Sequence, residues 1–167
     1  MLLLKELPTN ESLQKLVARY PDANIKAMRE FANLLRVASD LSEALDKLLG
    51  EHGLLQGRWW VLVLLLREDD LTSSPSVLAD KAGVTKATMT GFIDGLQREG
   101  LVSRLMHSDD RRMLKIKLTP AGLQKLDEVV PVYYRKVEAL MSTLNEKQRA
   151  TLMSNMNILG ANVGVMK

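Results

Sequence analysis

The chain has 167 residues, 46% of them hydrophobic, and a net charge of +3. That is enough for one domain with a real core and too little for two large ones. It has no cysteine, which excludes disulfides, thiolate metal sites and a cysteine peroxide sensor. The two histidines, His52 and His107, have no carboxylate–histidine pattern around them, so neither a metal nor any other cofactor is expected. The longest apolar run, Trp59 to Leu66, is eight residues, far short of a membrane span. Met1 to Lys5 is too short for the core of a signal peptide. A cytoplasmic protein without membrane association is expected.

In chain order, residues 1–21 read as an N-terminal extension with a short helix from Glu11 to Arg19. Asn10 is its predicted cap, and Tyr20-Pro21 closes it. Asp22 is the predicted cap of a long helix running to about His52. Ile25, Met28, Ala32, Leu35, Ser39, Ser42 and Leu45 or Leu49 lie along one side of it. Gln56 to Arg67 (QGRWWVLVLLLR) predicts a helix buried on most sides. Glu68 to Ser74 reads as a polar link.

The next 45 residues are the most specific. Pro75 and Ser76 open a short helix; Ser76 can cap it, or Pro75 can set its entry. Val77, Leu78 and Ala82 give an apolar side, and Ala79 is small enough for a second helix to cross closely. Gly83 ends it in a left-handed turn, with Val84 tucked into the angle. Thr85 caps the following helix, so the pair reads as a helix-turn-helix. In the second helix Met89, Phe92, Ile93 and Leu96 form one buried stripe. The opposite face shows Lys86, Ala87, Thr88, Thr90, Gly91, Asp94, Gly95, Gln97 and Arg98. Thr, Lys and small residues at a helix start suit base edges, where a thymine methyl packs on Ala or Thr.

Gly100 stops that helix. Leu101 to Met106 and Met113 to Leu118 read as two strands, the second alternating Leu114, Ile116 and Leu118 with Lys115 and Lys117. His107 to Arg112 is the loop between them, and Arg111-Arg112 suits phosphates or a narrow minor groove. Asp110 is spaced to orient the Arg112 guanidinium. Lys81 to Lys117 holds eight Lys or Arg against four Asp or Glu, a local basic excess of the kind nucleic-acid binding requires. Thr119 then caps a helix with Pro120 in its first turn. Pro131 inside that helix predicts a kink. Asn145 with Gln148 predicts a capping box opening the last helix, whose stripe is Leu152, Met153, Met156 and Leu159.

The stretch VTKATMTGFIDGLQREGLVSRLMHSDDRRMLKIKLTPAG resembles the DNA-binding core of the multiple-antibiotic-resistance regulator (MarR) family of bacterial winged-helix repressors. The matching pieces are the Thr-capped recognition helix, the L-x-x-E-G-L-V run at Leu96–Val102, the wing Asp110-Arg111-Arg112, and Leu118-Thr119-Pro120-Ala121-Gly122. The resemblance implies a mainly α fold with a small β-hairpin wing: a winged helix-turn-helix at 55–119 flanked by dimerisation helices at 22–54 and 120–167. It implies a homodimer on double-stranded DNA with a pseudo-palindromic operator, recognition helix in the major groove and wing in the minor groove. Family contact positions carry over to Thr85, Lys86, Thr88, Thr90 and Gly91, and to Asp110 and Arg112 in the wing. Ser76, Ala87, Arg98 and Arg111 complete the candidate DNA surface. Positions 91 and 95, often arginine in the family, are both glycine here.

The terminal helices are more apolar than a small winged-helix core needs, which also favours a dimer. Family members often release DNA on binding a small aromatic or anionic effector. Arg36, His52, Trp59, Trp60, Tyr133 and Tyr134 could line such a cleft, although both tryptophans are better suited to a core and the tyrosines to an interface. The expected function is a dimeric, sequence-specific transcriptional regulator, a repressor released by an effector. The alternative is a winged-helix module that binds protein, in which case substitutions at Arg111 and Arg112 leave DNA affinity untouched. An enzyme is not expected: His52, His107 and the acids at 69–70 and 109–110 lack a nucleophile–base arrangement or a phosphate loop.

Overall fold

The computed structural model describes residues 8–106 and 114–166. The chain divides into two compact units, residues 1–61 and 62–167.

In the first unit, helix α1 (Asn10–Arg19) starts from Thr9, whose side chain accepts from the Ser12 N–H at 3.2 Å. The cap is therefore Thr9 and not Asn10. Asn10 has another use: its Oδ1 accepts from Arg29 Nη2 at 2.6 Å. That bond ties the short helix to helix α2 (Ile25–Gly50), and Leu13 of α1 is buried. The cap of α2 is Asn24, accepting from the Ala27 N–H at 3.0 Å, two residues beyond the expected Asp22. Tyr20, Pro21 and Asp22 belong to the turn between the helices. Along α2, Ser39 and Leu49 are buried, and Ile25, Ala32, Ser42 and Leu45 are half-buried. Met28 and Leu35, expected on the same side, are exposed with Phe31, Leu34, Val37 and Leu41. Helix α3 (Gln56–Leu66) begins in this unit and buries Trp59, Val61, Leu62 and Leu65.

The second unit contains a strand that no periodicity announced. After α3 the chain turns through Leu71, a non-glycine residue with φ of 56°. It then forms strand β1 (Thr72–Ser73) in what reads as a polar link. Asp70 fixes the turn, its carboxylate accepting from the Thr72 N–H at 3.1 Å and the Thr72 hydroxyl at 2.6 Å. These bonds from Thr72 hold the Asp70 carboxyl below its ordinary value of 3.8. A carboxyl with a depressed folded pKa adds stability above its unfolded pKa and loses it as pH falls through the folded value. Thermal unfolding should therefore show the native chain losing more stability than Asp70→Ala as pH falls below about 4.

Helix α4 (Pro75–Ala82) and helix α5 (Lys86–Arg98) follow, then strands β2 (Val102–Met106) and β3 (Leu114–Leu118). The sheet is antiparallel in the order β1-β3-β2, with Ser73 opposite Ile116 and Val102 opposite Leu118. Leu78, Ala79, Met89, Ile93, Leu96, Val102, Ile116 and Leu118 are buried in this unit.

Helix α6 (Pro120–Met141) runs through Pro131 without a break. Its start is the junction of the unit. The Thr119 hydroxyl accepts from the Gly122 N–H at 3.0 Å and donates to the Gly100 carbonyl at 2.7 Å. The Thr119 N–H donates to the Leu101 carbonyl at 3.1 Å. One side chain thus caps α6 and joins it to the turn after α5. Thr119→Val keeps the shape and loses both hydroxyl bonds. Chemical denaturation should show a loss of about 2 kcal/mol. Helix α7 (Glu146–Ala161) opens with the expected capping box between Asn145 and Gln148. It contains no buried residue, and a 3-10 turn at Val163–Met166 follows it. No helix among the described residues is long and apolar enough to cross a membrane.

Candidate nucleic-acid interface

Helices α4 and α5 meet at a turn built by local chemistry. Ser74 caps α4, its hydroxyl accepting from the Val77 N–H at 3.3 Å, and Pro75 takes the first helical position. Of the two alternatives the sequence offered, Pro75 sets the entry; Ser76 does not cap but shares a hydroxyl–hydroxyl bond of 3.0 Å with Ser74 and is exposed. Gly83 has φ of 65°, the left-handed value that ends α4 and frees the chain to turn. Val84 donates back to the Ala79 carbonyl at 3.1 Å and is half-buried in the bend. Ala79 is buried where the second helix crosses, and Val77 is exposed. Glu68 and Lys81 form an ion pair that ties α4 to the segment after α3.

Thr85 caps α5 as the sequence predicts, accepting from the Thr88 N–H at 3.1 Å. Met89, Ile93 and Leu96 are buried and Phe92 is half-buried. Anchored by that stripe, α5 turns Lys86, Ala87, Thr88, Thr90 and Gly91 to solvent. Arg98 is also exposed, with its Nε donating to the Asp94 carbonyl at 3.3 Å. All eight described residues of the candidate DNA surface, Ser76, Thr85 and Arg98 included, are therefore accessible. Asp110, Arg111 and Arg112 lie outside the described residues.

Gly95 does not belong to the exposed face. It is buried, three residues from the half-buried Phe92 and so on the same side of the helix. The loss of an outward arginine therefore concerns position 91 alone. A Cβ built at Gly91 meets nothing within 4 Å. Gly91→Ala should accordingly raise stability in denaturant unfolding, by up to about 1 kcal/mol.

The sequence did not single out Arg104. It stands on β2 and forms an ion pair with Asp94 of α5, joining the strand to the helix. Asp94, Gln97, Arg98 and Arg104 line an open polar depression of about 510 Å³. The signal was available in the alternation of β2, where Val102 and Arg104 fall on one face.

The residues considered for an effector are distributed over both units. Arg36 donates through Nε to both Asp40 oxygens, at 3.0 and 3.1 Å. Trp59 is 1% exposed, and His52 and Trp60 are half-buried. On α6, Tyr133 and Tyr134 stack at 5.7 Å between ring centres, tilted by 49°. No group of three or more potential metal ligands occurs among the described residues.

A capped two-helix turn followed by an antiparallel hairpin, with the first residues of the second helix bare, defines a winged helix-turn-helix protein. The family model described as MarR family matches residues 54–114, which span α3 through the start of β3. Residues 54–114 thus carry a MarR family domain. The chain is similar to the HTH-type transcriptional repressor YetL of Bacillus subtilis, with 29% identity over 98% of each chain. Among solved structures it resembles Sco3205, a MarR family transcriptional regulator from Streptomyces coelicolor in complex with DNA. That match has a TM-score of 0.71 and 23% identity, and covers 93% of this chain and 89% of the other. The organohalide-sensing regulator RdhR in its 2,4-dichlorophenol-bound form gives a TM-score of 0.74 at 15% identity, covering 98% and 90%. Both structural likenesses bear on the fold.

Proposed function

We propose that the protein is a dimeric, sequence-specific DNA-binding transcriptional regulator, a repressor that a small aromatic or anionic molecule releases from its operator. The carrying observation is the start of α5. Its cap is satisfied, its inner face is buried, and Lys86 to Gly91 project from it unobstructed apart from Met89. A rigid helix presenting a cation and small polar side chains is what a major groove admits. YetL, similar along nearly its whole length, is named a transcriptional repressor.

The dimer reading rests on apolar surface. Leu152, Met153, Met156, Ile158 and Leu159 of α7 are 37–59% exposed, and Val137 and Leu140 of α6 are exposed as well. A patch of this kind is characteristic of an interface. We assign the dimerisation region to 22–54 and 120–167. Two copies would place two α5 helices about one DNA turn, roughly 34 Å, apart. The effector reading leans on the aromatic and cationic side chains Trp60, Tyr133, His52 and Arg36, and on the ligand named for RdhR. Residues 1–21 would brace the dimer.

Selection of bound fragments from genomic DNA tests the reading. A palindromic site with half-sites one turn apart supports it. Failure to enrich any sequence, or binding independent of salt, rejects it.

A further inference from the structure

The hydroxyl groups on the exposed start of α5 are largely used by the helix itself. Thr85 Oγ1 accepts from the Thr88 N–H at 3.1 Å and lies 2.9 Å from Thr88 Oγ1, so these two hydroxyls share one hydrogen. Thr90 Oγ1 donates its only hydrogen to the Lys86 carbonyl at 2.9 Å. Of three hydroxyl protons, two are committed inside the helix and one remains for a partner. Ala87 has none, and at Gly91 the space where a Cβ would stand is open.

This face is therefore poorer in donors than its threonine content implies. Lys86 supplies the one ammonium. The rest offers methyl groups, from Ala87, Thr88 and Thr90, beside a notch at Gly91. Ala87, Thr90 and Gly91 are spaced i, i+3 and i+4, so they form one ridge with about 5–6 Å between neighbouring Cβ positions. In a major groove the apolar group available to such a ridge is the thymine C5 methyl. Successive bases rise by about 3.4 Å, so one ridge spans methyls on neighbouring steps.

We infer that α5 reads its half-site chiefly through thymine methyl groups, packed against Ala87 and Thr90 and admitted by the missing side chain at Gly91. The inference rests on the DNA-binding reading above and specifies what that site recognises. Thr90 acts through its methyl, because its hydroxyl is turned onto the Lys86 carbonyl. Gly91 sets how closely the groove floor approaches.

The test uses the full chain and a selected genomic fragment, with each thymine of the half-site replaced in turn by uracil, which lacks only the methyl. One or two replacements per half-site should weaken binding about fourfold each, the value for burying one methyl-sized group. Thr90→Ser, which keeps the hydroxyl and deletes the methyl, should weaken binding to the thymine fragment about fourfold and abolish the thymine–uracil difference at one position. Thr90→Val should bind the thymine fragment more tightly and enlarge that difference. Circular dichroism melts of each variant establish that it is folded. If uracil fragments bind as well as thymine ones, or if Thr90→Val loses binding while Thr90→Ser retains it, the helix reads through hydroxyls and the inference is overturned. If a fragment is bound but has no thymine opposite α5, the inference fails and the regulator reading stands. If no fragment is bound, both fail.

Discussion

Replacing Gly122 by alanine is expected to lower stability by about 3 kcal/mol. A Cβ at that position would overlap the Leu101 carbonyl oxygen and lie 2.7 Å from Leu118 Cδ1 and 3.2 Å from the Leu101 carbonyl carbon. The nearest obstacle is backbone, so no rotamer change relieves it. The Leu101 carbonyl is further fixed because it accepts the Thr119 N–H at 3.1 Å. To make room, the first turn of α6 must lift from the turn after α5, and the Thr119 cap moves with it. Thermal unfolding followed by circular dichroism should show a midpoint lower by roughly 10 °C. Gly91→Ala is the natural control, since the same methyl there meets open space. If Gly122→Ala melts like the native chain, the close approach of α6 to Leu101 is wrong.

The double substitution Met156→Glu with Leu159→Glu is expected to separate the proposed dimer. Both side chains are about half exposed within a single chain, at 50% and 53%, and both lie on α7, which buries nothing of its own. Placing two carboxylates there should cost an isolated chain little. In a symmetric interface each would enter an apolar contact from both copies, and buried unpaired carboxylates are strongly unfavourable. Sedimentation at micromolar concentration should show the mass of one chain. Operator affinity should fall at least about a hundredfold, because each copy then engages one half-site without the benefit of the other. An unchanged dimer would remove α7 from the interface.

The most legible parts of the sequence were those fixed by local chemistry. Gly83 and Thr85 mark the turn because a left-handed residue and an N-cap are requirements of the backbone at single positions. Asn145 and Gln148 mark α7 for the same reason. Caps were misplaced where several candidates stood close together: Thr9 beside Asn10, Asn24 near Asp22, Ser74 near Ser76. All are good caps, and the choice among them follows from where the chain enters the helix. Strand β1 was missed because two residues carry no period; its place is set by pairing with Ile116 and Lys117, which are distant in sequence. Gly95 was read as exposed because glycine gives no hydrophobic signal, and its burial follows from packing.

The candidate site was legible in outline. The exposed threonines, Lys86 and Gly91 follow from the stripe of Met89, Ile93 and Leu96 opposite them. What the threonine hydroxyls bind, and that Arg104 pairs with Asp94, depended on geometry across turns and between a helix and a strand. The apolar residues of α2 were assigned to one side, yet Met28 and Leu35 are exposed. Periodicity identifies a face but does not say whether its own chain or a second copy covers it.

Helix α5 is proposed to deliver this protein to a specific DNA sequence. The most direct measurement is the affinity of the full chain for a fragment selected from genomic DNA, titrated against salt beside a scrambled fragment of the same length. Log affinity should fall linearly with log salt with a slope of about −4.5 or steeper, as five or more phosphate contacts shared by two copies require. A scrambled fragment should bind at least about a thousandfold more weakly. Equal affinity for both fragments, or an affinity unmoved by salt, would contradict that proposal.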